Sequence, residues 1–337
     1  MKAVGYYRSL PIAEPESLLD LEVETPTPSG RDLLVKIEAV SVNPVDTKVR
    51  MRAAGEGGKP KILGYDAAGT VAAAGPDCQL FEPGDAVWYA GSILRPGTNA
   101  ELHLVDERIV GPKPKSLSFT QAAALPLTAI TAWEMLFDRF GIRIGKPPAA
   151  GSLLIVGGAG GVGSIAIQLA RRLTGLTVVA TASRPETRRW CLDHGAHHVI
   201  DHREAFQPQL AALGLPAIDY VFGVTESGRH LPAIVEAIAP QGKFGLIDDP
   251  KTLDVLPFKR KCVSIHWEAM FARSMFHTQD MILQHVLLTE VASLVDEGLI
   301  RTTVGEVLGR IDAATLKTAH ARIESGRTVG KLVLAGF

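Results

Sequence analysis

Glycines set between an apolar run and a helical pattern are the clearest chemical signal in this chain. The segment LLIVGGAGGVGSIAIQLA, residues 153–170, is typical of a strand, a glycine turn and a helix in that order. The first N–H groups and the positive end of such a helix suit a phosphate bound on the turn. The spacing therefore predicts a dinucleotide site formed by Gly158, Gly160, Gly161, Val162 and Gly163.

Three of these glycines have separate expected tasks. Gly158 permits a tight turn, Gly160 lets the backbone approach the pyrophosphate without a Cβ between them, and Gly163 allows close packing of the helix. Glycine-rich turns are common, so a structural turn without a ligand is the alternative. The flanking strand and helix favour the dinucleotide interpretation.

The end of the next predicted strand indicates which dinucleotide binds. An NAD site places a carboxylate about 20 residues after the glycines, where it accepts hydrogen bonds from the ribose. Here the strand TVVATA ends in Ser183 and Arg184, with Arg188 one helical turn later. Because hydroxyl and guanidinium donors suit a 2′-phosphate, we expect NADPH to bind in preference to NADH. Alternatively, the arginines form a solvated helix face, and Glu186 could neutralise part of their charge.

The elements around the turn predict an α/β protein with two kinds of sheet. Residues 1–125 alternate short apolar runs with Gly, Pro and Asp, which is typical of a mainly antiparallel, barrel-like β domain. From residue 153 onward strands and helices alternate, which predicts a doubly wound parallel sheet. The last segment has little room in that sheet, and we expect it to return to the first domain.

Composition and charge exclude several classes of partner. The 337 residues include 35 Lys and Arg and 36 Asp and Glu, for a formal net charge of −1. No basic stripe for nucleic acid and no polybasic membrane patch is visible, so a small-molecule partner is expected. The opening residues, MKAVGYYRSLPIAEPESLLDLE, contain no apolar signal-peptide core, and we expect a cytoplasmic protein.

Five short strings resemble the medium-chain dehydrogenase/reductase superfamily. They are residues 43–47 (NPVDT), 64–69 (GYDAAG), 124–129 (ALPLTA), the glycine turn, and 330–334 (GKLVL). The chain looks most like the quinone oxidoreductase branch, and closer still like the proteins labelled zinc-type alcohol dehydrogenase-like. The resemblance implies a GroES-like β-rich catalytic domain at residues 1–127, a Rossmann NADP(H)-binding domain at 128–272, and a C-terminal return to the catalytic domain at 273–337.

The zinc ligands of this superfamily have no counterparts in the chain. The resemblance places them at Asn43, Tyr65 and Leu127, and the four clustered cysteines of a structural zinc lobe are missing from a sequence with three scattered cysteines. The remaining donors are two carboxylates and a distant histidine: Asp46, Asp66 and His103. Such a set does not make a tetrahedral site with soft ligands, so we expect zinc to be absent.

Without a Lewis acid, reducing a quinone or an activated alkene is easier than oxidising an alcohol, because the acceptor already takes hydride readily. The protein must then position the acceptor and stabilise charge on its oxygen. Asn43 offers an amide N–H, Asp46 can orient a neighbour or a water, and Lys48 can supply a cation or a proton. Related quinone reductases usually have tyrosine at the position of Lys48. Asn43 and Asp46 could instead cap a turn, and Lys48 could be a surface lysine.

Further cofactor contacts come from the resemblance and from the strand ends. The resemblance places Thr128 and Thr131 beside the nicotinamide, and Lys331 resembles a basic residue that reaches the pyrophosphate, with an exposed strand charge as the alternative. Ligands of doubly wound sheets bind at the carboxyl ends of the strands. Four residues follow or end two such strands: Val224, Thr225, Leu246 and Ile247.

Together these features lead to one hypothesis and two rivals. The hypothesis is a zinc-independent reductase that transfers hydride from NADPH to a quinone or an α,β-unsaturated carbonyl. The segment CVSIHW is typical of an edge strand, and pairing of such edges predicts a homodimer. One rival is a zinc alcohol dehydrogenase with atypical ligands. The other is a nucleotide-binding sensor or structural protein with little turnover.

Overall fold

The computed structural model describes residues 1–147 and 151–337, which divide into two compact units. Unit 1 joins Met1–Ile130 to Phe271–Phe337, so the C-terminal segment belongs with the N-terminal one. Unit 2 is Thr131–Met270. None of the helices in these described residues combines the length and apolarity needed to cross a membrane.

Strands predominate up to residue 112, and strands and helices alternate from residue 152 to residue 246. In chain order the strands are β1 (Lys2–Tyr6), β2 (Leu19–Glu22), β3 (Asp32–Val42), β4 (Lys61–Ile62), β5 (Asp66–Ala74), β6 (Ala86–Tyr89), β7 (Leu102–Asp106), β8 (Val110–Pro112), β9 (Ser152–Val156), β10 (Thr177–Thr181), β11 (His198–Ile200), β12 (Ile218–Gly223), β13 (Ile238–Leu246), β14 (Ser264–Trp267), β15 (Val304–Gly309) and β16 (Lys331–Ala335). The helices are α1 (Pro44–Arg52), α2 (Phe119–Ala122), α3 (Pro126–Trp133), α4 (Gly161–Leu173), α5 (Pro185–Asp193), α6 (Phe206–Ala212), α7 (Ser227–Ala237), α8 (Ala272–Phe276), α9 (Leu283–Asp296) and α10 (Ala313–Glu324).

Unit 1 is built mainly from antiparallel pairs. Its larger sheet has the order β15-β16-β3-β5-β6-β8, with β7 also paired to β3, and its smaller sheet has the order β2-β1-β4. The register sets Leu332 opposite Val42 and Ser41 opposite Asp66. The end of β3 therefore lies between the start of β5 and the start of β16, which brings together polar residues that are distant in sequence.

Unit 2 is a parallel sheet whose described strands have the order β11-β10-β9-β12-β13-β14. The order reverses between β9 and β12, the position where doubly wound sheets bind ligands. The β9 segment SLLIV is buried along its whole length, as expected for a central parallel strand covered on both faces. The predicted fold class, a β-rich antiparallel domain with a Rossmann-like parallel sheet, is confirmed.

His320 on α10 makes the stability of unit 1 sensitive to acid. Burial, together with the Arg50 cation, lowers its pKa to about 3. An unfolded histidine titrates at about 6.5, so below that pH the unfolded chain binds a proton that the folded chain excludes. The free energy of unfolding is therefore fully retained above about pH 6.5 and falls as the pH drops toward about 3.

The acid sensitivity of His320 can be measured by urea unfolding at two pH values. Lowering the pH from 7 to 5 should reduce the free energy of unfolding of both proteins. The reduction should be about 2 kcal/mol smaller in His320→Leu than in the wild type, because leucine takes up no proton in the unfolded state. Equal losses in the two proteins would contradict the assignment.

Candidate functional site

The glycine turn joins β9 to α4 at the carboxyl edge of the parallel sheet. The left-handed backbone conformation falls at Gly157, with φ of +96°, and not at Gly158 where the sequence predicts the tight turn. A Cβ on Gly157 would lie 2.8 Å from Thr225 Cγ2. On Gly158 it would lie 2.7 Å from Ala180 Cβ and 2.9 Å from Cys191 Sγ. The role of Gly158 is therefore close packing against β10 and α5.

The other glycines shape an open cradle at the start of α4. Gly160 is the N-cap residue, and the nearest atom to a Cβ built on it is Gly157 O, 4.0 Å away. Gly161 and Val162 begin the helix, where backbone N–H groups have no partner within the helix. A Cβ on Gly163 would lie 2.4 Å from Gly157 O, so the helix and the turn are in contact. N–H groups without a partner inside the helix, beside open space, fit a pyrophosphate.

Two residues that sequence reasoning missed hold the turn in place. Thr181 ends β10, where its Oγ1 accepts a hydrogen bond from Gly157 N at 3.0 Å. Trp190 on α5 donates from Nε1 to Ser164 Oγ at 2.7 Å, and that hydroxyl donates to Gly160 O at 2.7 Å. Thr181 lies on β10 and Trp190 on α5, so the sequence of the glycine turn does not indicate that they contact it.

The tip of β10 carries the predicted residues for a 2′-phosphate. Ser183 is half-buried, and Arg184 is the N-cap residue of α5 with a side chain 39% exposed. Arg184 Nε lies 3.2 Å from Glu186 Oε1. Arg188 is placed differently, because its guanidinium donates to Val199 O at 2.8 Å. Arg184 is thus presented at the surface, while Arg188 is bonded to a strand end.

Arg203, which follows β11, also reaches this tip and was missed from the sequence. Its Nη2 donates to Ser183 O at 3.1 Å and to Asp201 Oδ2 at 2.6 Å. The hydrogen bonds from Arg203 lower the pKa of Asp201 to about 2. The tip of β10 therefore has two guanidinium groups, those of Arg184 and Arg203, and each is paired with a carboxylate.

The ends of β12 and β13 continue the same edge of the sheet. Val224 N donates to Val156 O at 3.1 Å, and Ile247 N donates to Gly223 O at 3.3 Å. Thr225 is exposed beside the glycine turn. Leu246 instead packs in the apolar core of unit 2. The structure thus brings Val224, Thr225 and Ile247 to the edge and keeps the Leu246 side chain inside.

A buried polar cluster occupies unit 1 where β3 ends and β5 and β16 begin. Asp66 Oδ2 accepts hydrogen bonds from Ser41 Oγ at 2.9 Å, Asn43 Nδ2 at 2.8 Å and Lys331 Nζ at 3.0 Å. Asp66 Oδ1 accepts from Leu127 N at 2.7 Å, near the first residue of α3. We call these five residues the Asp66 cluster.

Lys331 supplies the positive charge of the Asp66 cluster. Its side chain is 4% exposed, and Nζ donates to Val42 O at 3.0 Å, to Asn43 Oδ1 and to Asp66 Oδ2 at 3.0 Å. These acceptors match the three N–H groups of an ammonium. The structure therefore places Lys331 in the Asp66 cluster, and a pyrophosphate contact would need one of those donors.

Asn43 and Asp46 both cap α1, as the alternative interpretation of these residues predicts. Asn43 N donates to Asp46 Oδ2 at 2.8 Å, and Gly64 N donates to Asp46 Oδ1 at 3.0 Å. Burial raises the pKa of Asp46 to about 7, although these N–H groups and Lys331 oppose the shift. The Asn43 amide donates to Asp66 Oδ2 at 2.8 Å and to Ser41 O at 3.4 Å, so both of its N–H groups have acceptors within the protein.

The other predicted catalytic and nicotinamide residues lie on two helices. Lys48 is half-buried in α1, the helix that Asn43 caps. Thr128 and Thr131 are buried on α3. Thr128 Oγ1 donates to Leu125 O at 2.9 Å, which leaves the hydroxyl its acceptor lone pairs.

A zinc ion does not fit the residues at the ligand positions that the resemblance implies. Tyr65 is buried edge-on to Phe271 with ring centroids 5.3 Å apart, and burial raises its pKa, so it stays a phenol. Leu127 has no ligating side chain, and the cluster oxygens already bind the ammonium of Lys331. His103 is bonded through both ring nitrogens. Within residues 1–147 and 151–337, no group of three His, Cys, Asp or Glu could hold a metal.

Known proteins match this chain along almost its whole length. A family model described as zinc-binding dehydrogenase matches residues 194–334, and one described as alcohol dehydrogenase GroES-like domain matches residues 29–115. A zinc-type alcohol dehydrogenase-like protein of Staphylococcus aureus (strain MSSA476) is 41% identical over 340 residues, which cover 99% of each chain.

Solved structures share the complete fold. A Rhizobium etli CFN 42 protein, provisionally described as a zinc-dependent alcohol dehydrogenase, is 58% identical with a TM-score of 0.97, covering 100% of this chain and 98% of its own. The Escherichia coli quinone oxidoreductase complexed with NADPH is 22% identical with a TM-score of 0.83, covering 99% of this chain and 100% of its own. At that identity the second likeness concerns the fold alone.

Proposed function

The chain is an oxidoreductase that belongs to the medium-chain dehydrogenase/reductase superfamily, and from this premise we propose that it uses NADPH to reduce a quinone or an α,β-unsaturated carbonyl without zinc. The observation that carries the proposal is the Asp66 cluster. The ammonium of Lys331 lies among residues at the metal positions of the family, where zinc enzymes have thiolate and imidazole ligands. We further propose that the protein is a cytoplasmic homodimer.

The cofactor part of the proposal rests on unit 2. NADPH, when bound, supplies a hydride. The N–H groups at the start of α4 hold the pyrophosphate, because Gly160 leaves that side open. Ser183 and Arg184 hold the 2′-phosphate, and the nearby Arg203 guanidinium adds a second positive charge.

A double substitution at the tip of β10 tests the choice of cofactor. Ser183→Ala with Arg184→Ala should weaken NADPH binding by roughly 10 to 150-fold, because charge-assisted hydrogen bonds to the 2′-phosphate are lost. NADH lacks that phosphate, so its dissociation constant should hardly change. Arg189→Ala is a matched control, since Arg189 is a more exposed arginine paired with Asp193 on α5. If fluorescence titrations show an equal loss of affinity for NADPH and NADH, the 2′-phosphate binds elsewhere.

The acceptor part of the proposal rests on α1. Hydride addition leaves negative charge on the oxygen of the acceptor, and that oxygen needs a cation or a proton. Lys48 is the candidate donor, because it is a half-buried ammonium on α1. Asn43 and Asp46 are positioning residues, since their hydrogen bonds fix the start of the helix that carries Lys48.

An acceptor panel tests the proposed reaction. NADPH oxidation followed by absorbance should proceed with at least one quinone or α,β-unsaturated carbonyl. Tight NADPH binding without turnover on any acceptor would favour the nucleotide-binding sensor. Stoichiometric zinc together with alcohol oxidation would favour the zinc alcohol dehydrogenase.

The homodimer proposal rests on the outer strand of the parallel sheet. β14 is an end strand of the sheet order, and Trp267 at its end is exposed. A strand at the end of a sheet is suited to pairing with the same strand of a second copy. Sedimentation equilibrium should give about twice the chain mass of 36.0 kDa. The mass of a single chain would overturn the dimer.

A further inference from the structure

Three oxygen atoms in unit 1 converge on one buried cation. They are Val42 O, Asn43 Oδ1 and Asp66 Oδ2, and the Nζ of Lys331 lies among them. Carbonyl and carboxylate oxygens are the donors that hard cations prefer. The three oxygens therefore form a cation site, and the chain fills it with its own ammonium.

Two residues bonded to this cation contact the starts of two helices. Asp66 uses its second oxygen to accept from Leu127 N, next to the first residue of α3. Asn43, held by Lys331 and Asp66, is the N-cap residue of α1. Lys48 lies on α1 and Thr128 on α3, so the two helices that carry these candidate residues begin beside the same buried ion pair.

Packing alone does not explain this choice of residues. Burying two charges carries a desolvation penalty, and apolar residues of similar volume often stabilise a protein as well as a buried ion pair does. Lys331 and Asp66 are both almost fully buried in the structure. An ion pair in this position is therefore better explained by the geometry and charge it imposes on its neighbours.

We propose that Lys331 is a positioning residue that replaces a metal electrostatically: its tethered ammonium orients Asn43 and Asp66, and through them α1 and α3, for reduction of the acceptor. The inference rests on the proposed function for its effect on turnover. The cation site itself is a property of unit 1 and can be tested without turnover.

Lys331→Ala tests the inference by chemical rescue. The variant removes the ammonium and its alkyl chain, so ethylammonium or propylammonium can enter the space that is left. We expect kcat to fall about 100-fold and the KM for NADPH to change less than about twofold, because the lost function is positioning. Ethylammonium should restore a substantial part of kcat and raise the melting temperature, whereas tetramethylammonium at equal ionic strength should do neither.

Two further variants serve as control and safeguard. Lys36→Ala removes an exposed lysine on β3 and should leave kcat unchanged. Lys331→Met with Asp66→Asn removes both charges, so it should fold even if Lys331→Ala does not. That double variant should still have the low kcat, because it lacks the cation. Wild-type turnover in the double variant would overturn the proposal.

The remaining outcomes separate this inference from the proposed function. A raised KM for NADPH with unchanged kcat in Lys331→Ala would restore the pyrophosphate role and overturn the inference. Recovery with zinc, and not with alkylammonium ions, would also overturn it. If the wild type reduces no acceptor, the proposed function fails, and the melting temperature with ethylammonium still decides whether the cation site exists.

Discussion

Gly160→Ala should bind NADPH roughly 10 to 150-fold more weakly than the wild type while losing no more than about 1 kcal/mol of stability. The space beside Gly160 is open on the protein side, so a methyl group there meets no protein atom closer than 4.0 Å. The same methyl group would stand where the pyrophosphate must approach the backbone. The substitution should therefore lower NADPH affinity with little effect on the free energy of unfolding.

Gly163→Ala should impair both properties, because its Cβ would lie 2.4 Å from the carbonyl oxygen of Gly157. The neighbouring atoms belong to the backbone of the turn, so α4 or the turn must shift, at a stability cost of about 3 kcal/mol. NADPH affinity should fall at least as far as in Gly160→Ala.

The two glycine variants should be compared by urea unfolding and NADPH titration. Wild-type affinity in Gly160→Ala would show that the pyrophosphate does not approach there. Unchanged stability in Gly163→Ala would show that the contact between helix and turn is not as tight as the structure indicates.

Asp66→Ala should lower the free energy of unfolding by about 3 to 5 kcal/mol. The substitution leaves the ammonium of Lys331 buried without its carboxylate, and it removes the acceptor of Leu127 N near the start of α3. A buried charge without a partner is among the few causes of losses this large. The effect should be measured by urea unfolding.

A matched control and a double variant identify the cause of that loss. Asp193→Ala breaks an exposed pair with Arg189 and should lose less than about 1 kcal/mol. Adding Lys331→Met to Asp66→Ala should recover part of the stability, because the second change removes the unpaired charge. Similar losses in Asp66→Ala and Asp193→Ala would contradict the described charge pairing.

Local patterns predicted the fold well. The glycine turn after an apolar strand marked the start of α4, and the alternation of strands and helices predicted the parallel sheet. Which glycine adopts a positive φ could not be predicted. Gly157 and Gly158 are adjacent and both tolerate that conformation, and nothing in the local sequence distinguishes them.

The sequence indicated several polar site residues, but it did not indicate which of them bond to one another. Asn43 and Lys331 were both candidate site residues, yet their contact depends on β16 pairing with the end of β3, across 288 positions in the chain. Nothing near Lys331 in sequence distinguishes a buried ammonium from a cofactor contact. Arg203 was missed for the same reason, because its neighbour Ser183 belongs to another strand end.

The most direct test of zinc-independent reduction is the rate of NADPH oxidation by a quinone or an α,β-unsaturated carbonyl after the protein has been stripped with a chelator, with zinc measured in the same sample. The account predicts an unchanged rate with far less than one zinc per chain. Loss of the rate on chelation, with recovery on adding zinc, would contradict it.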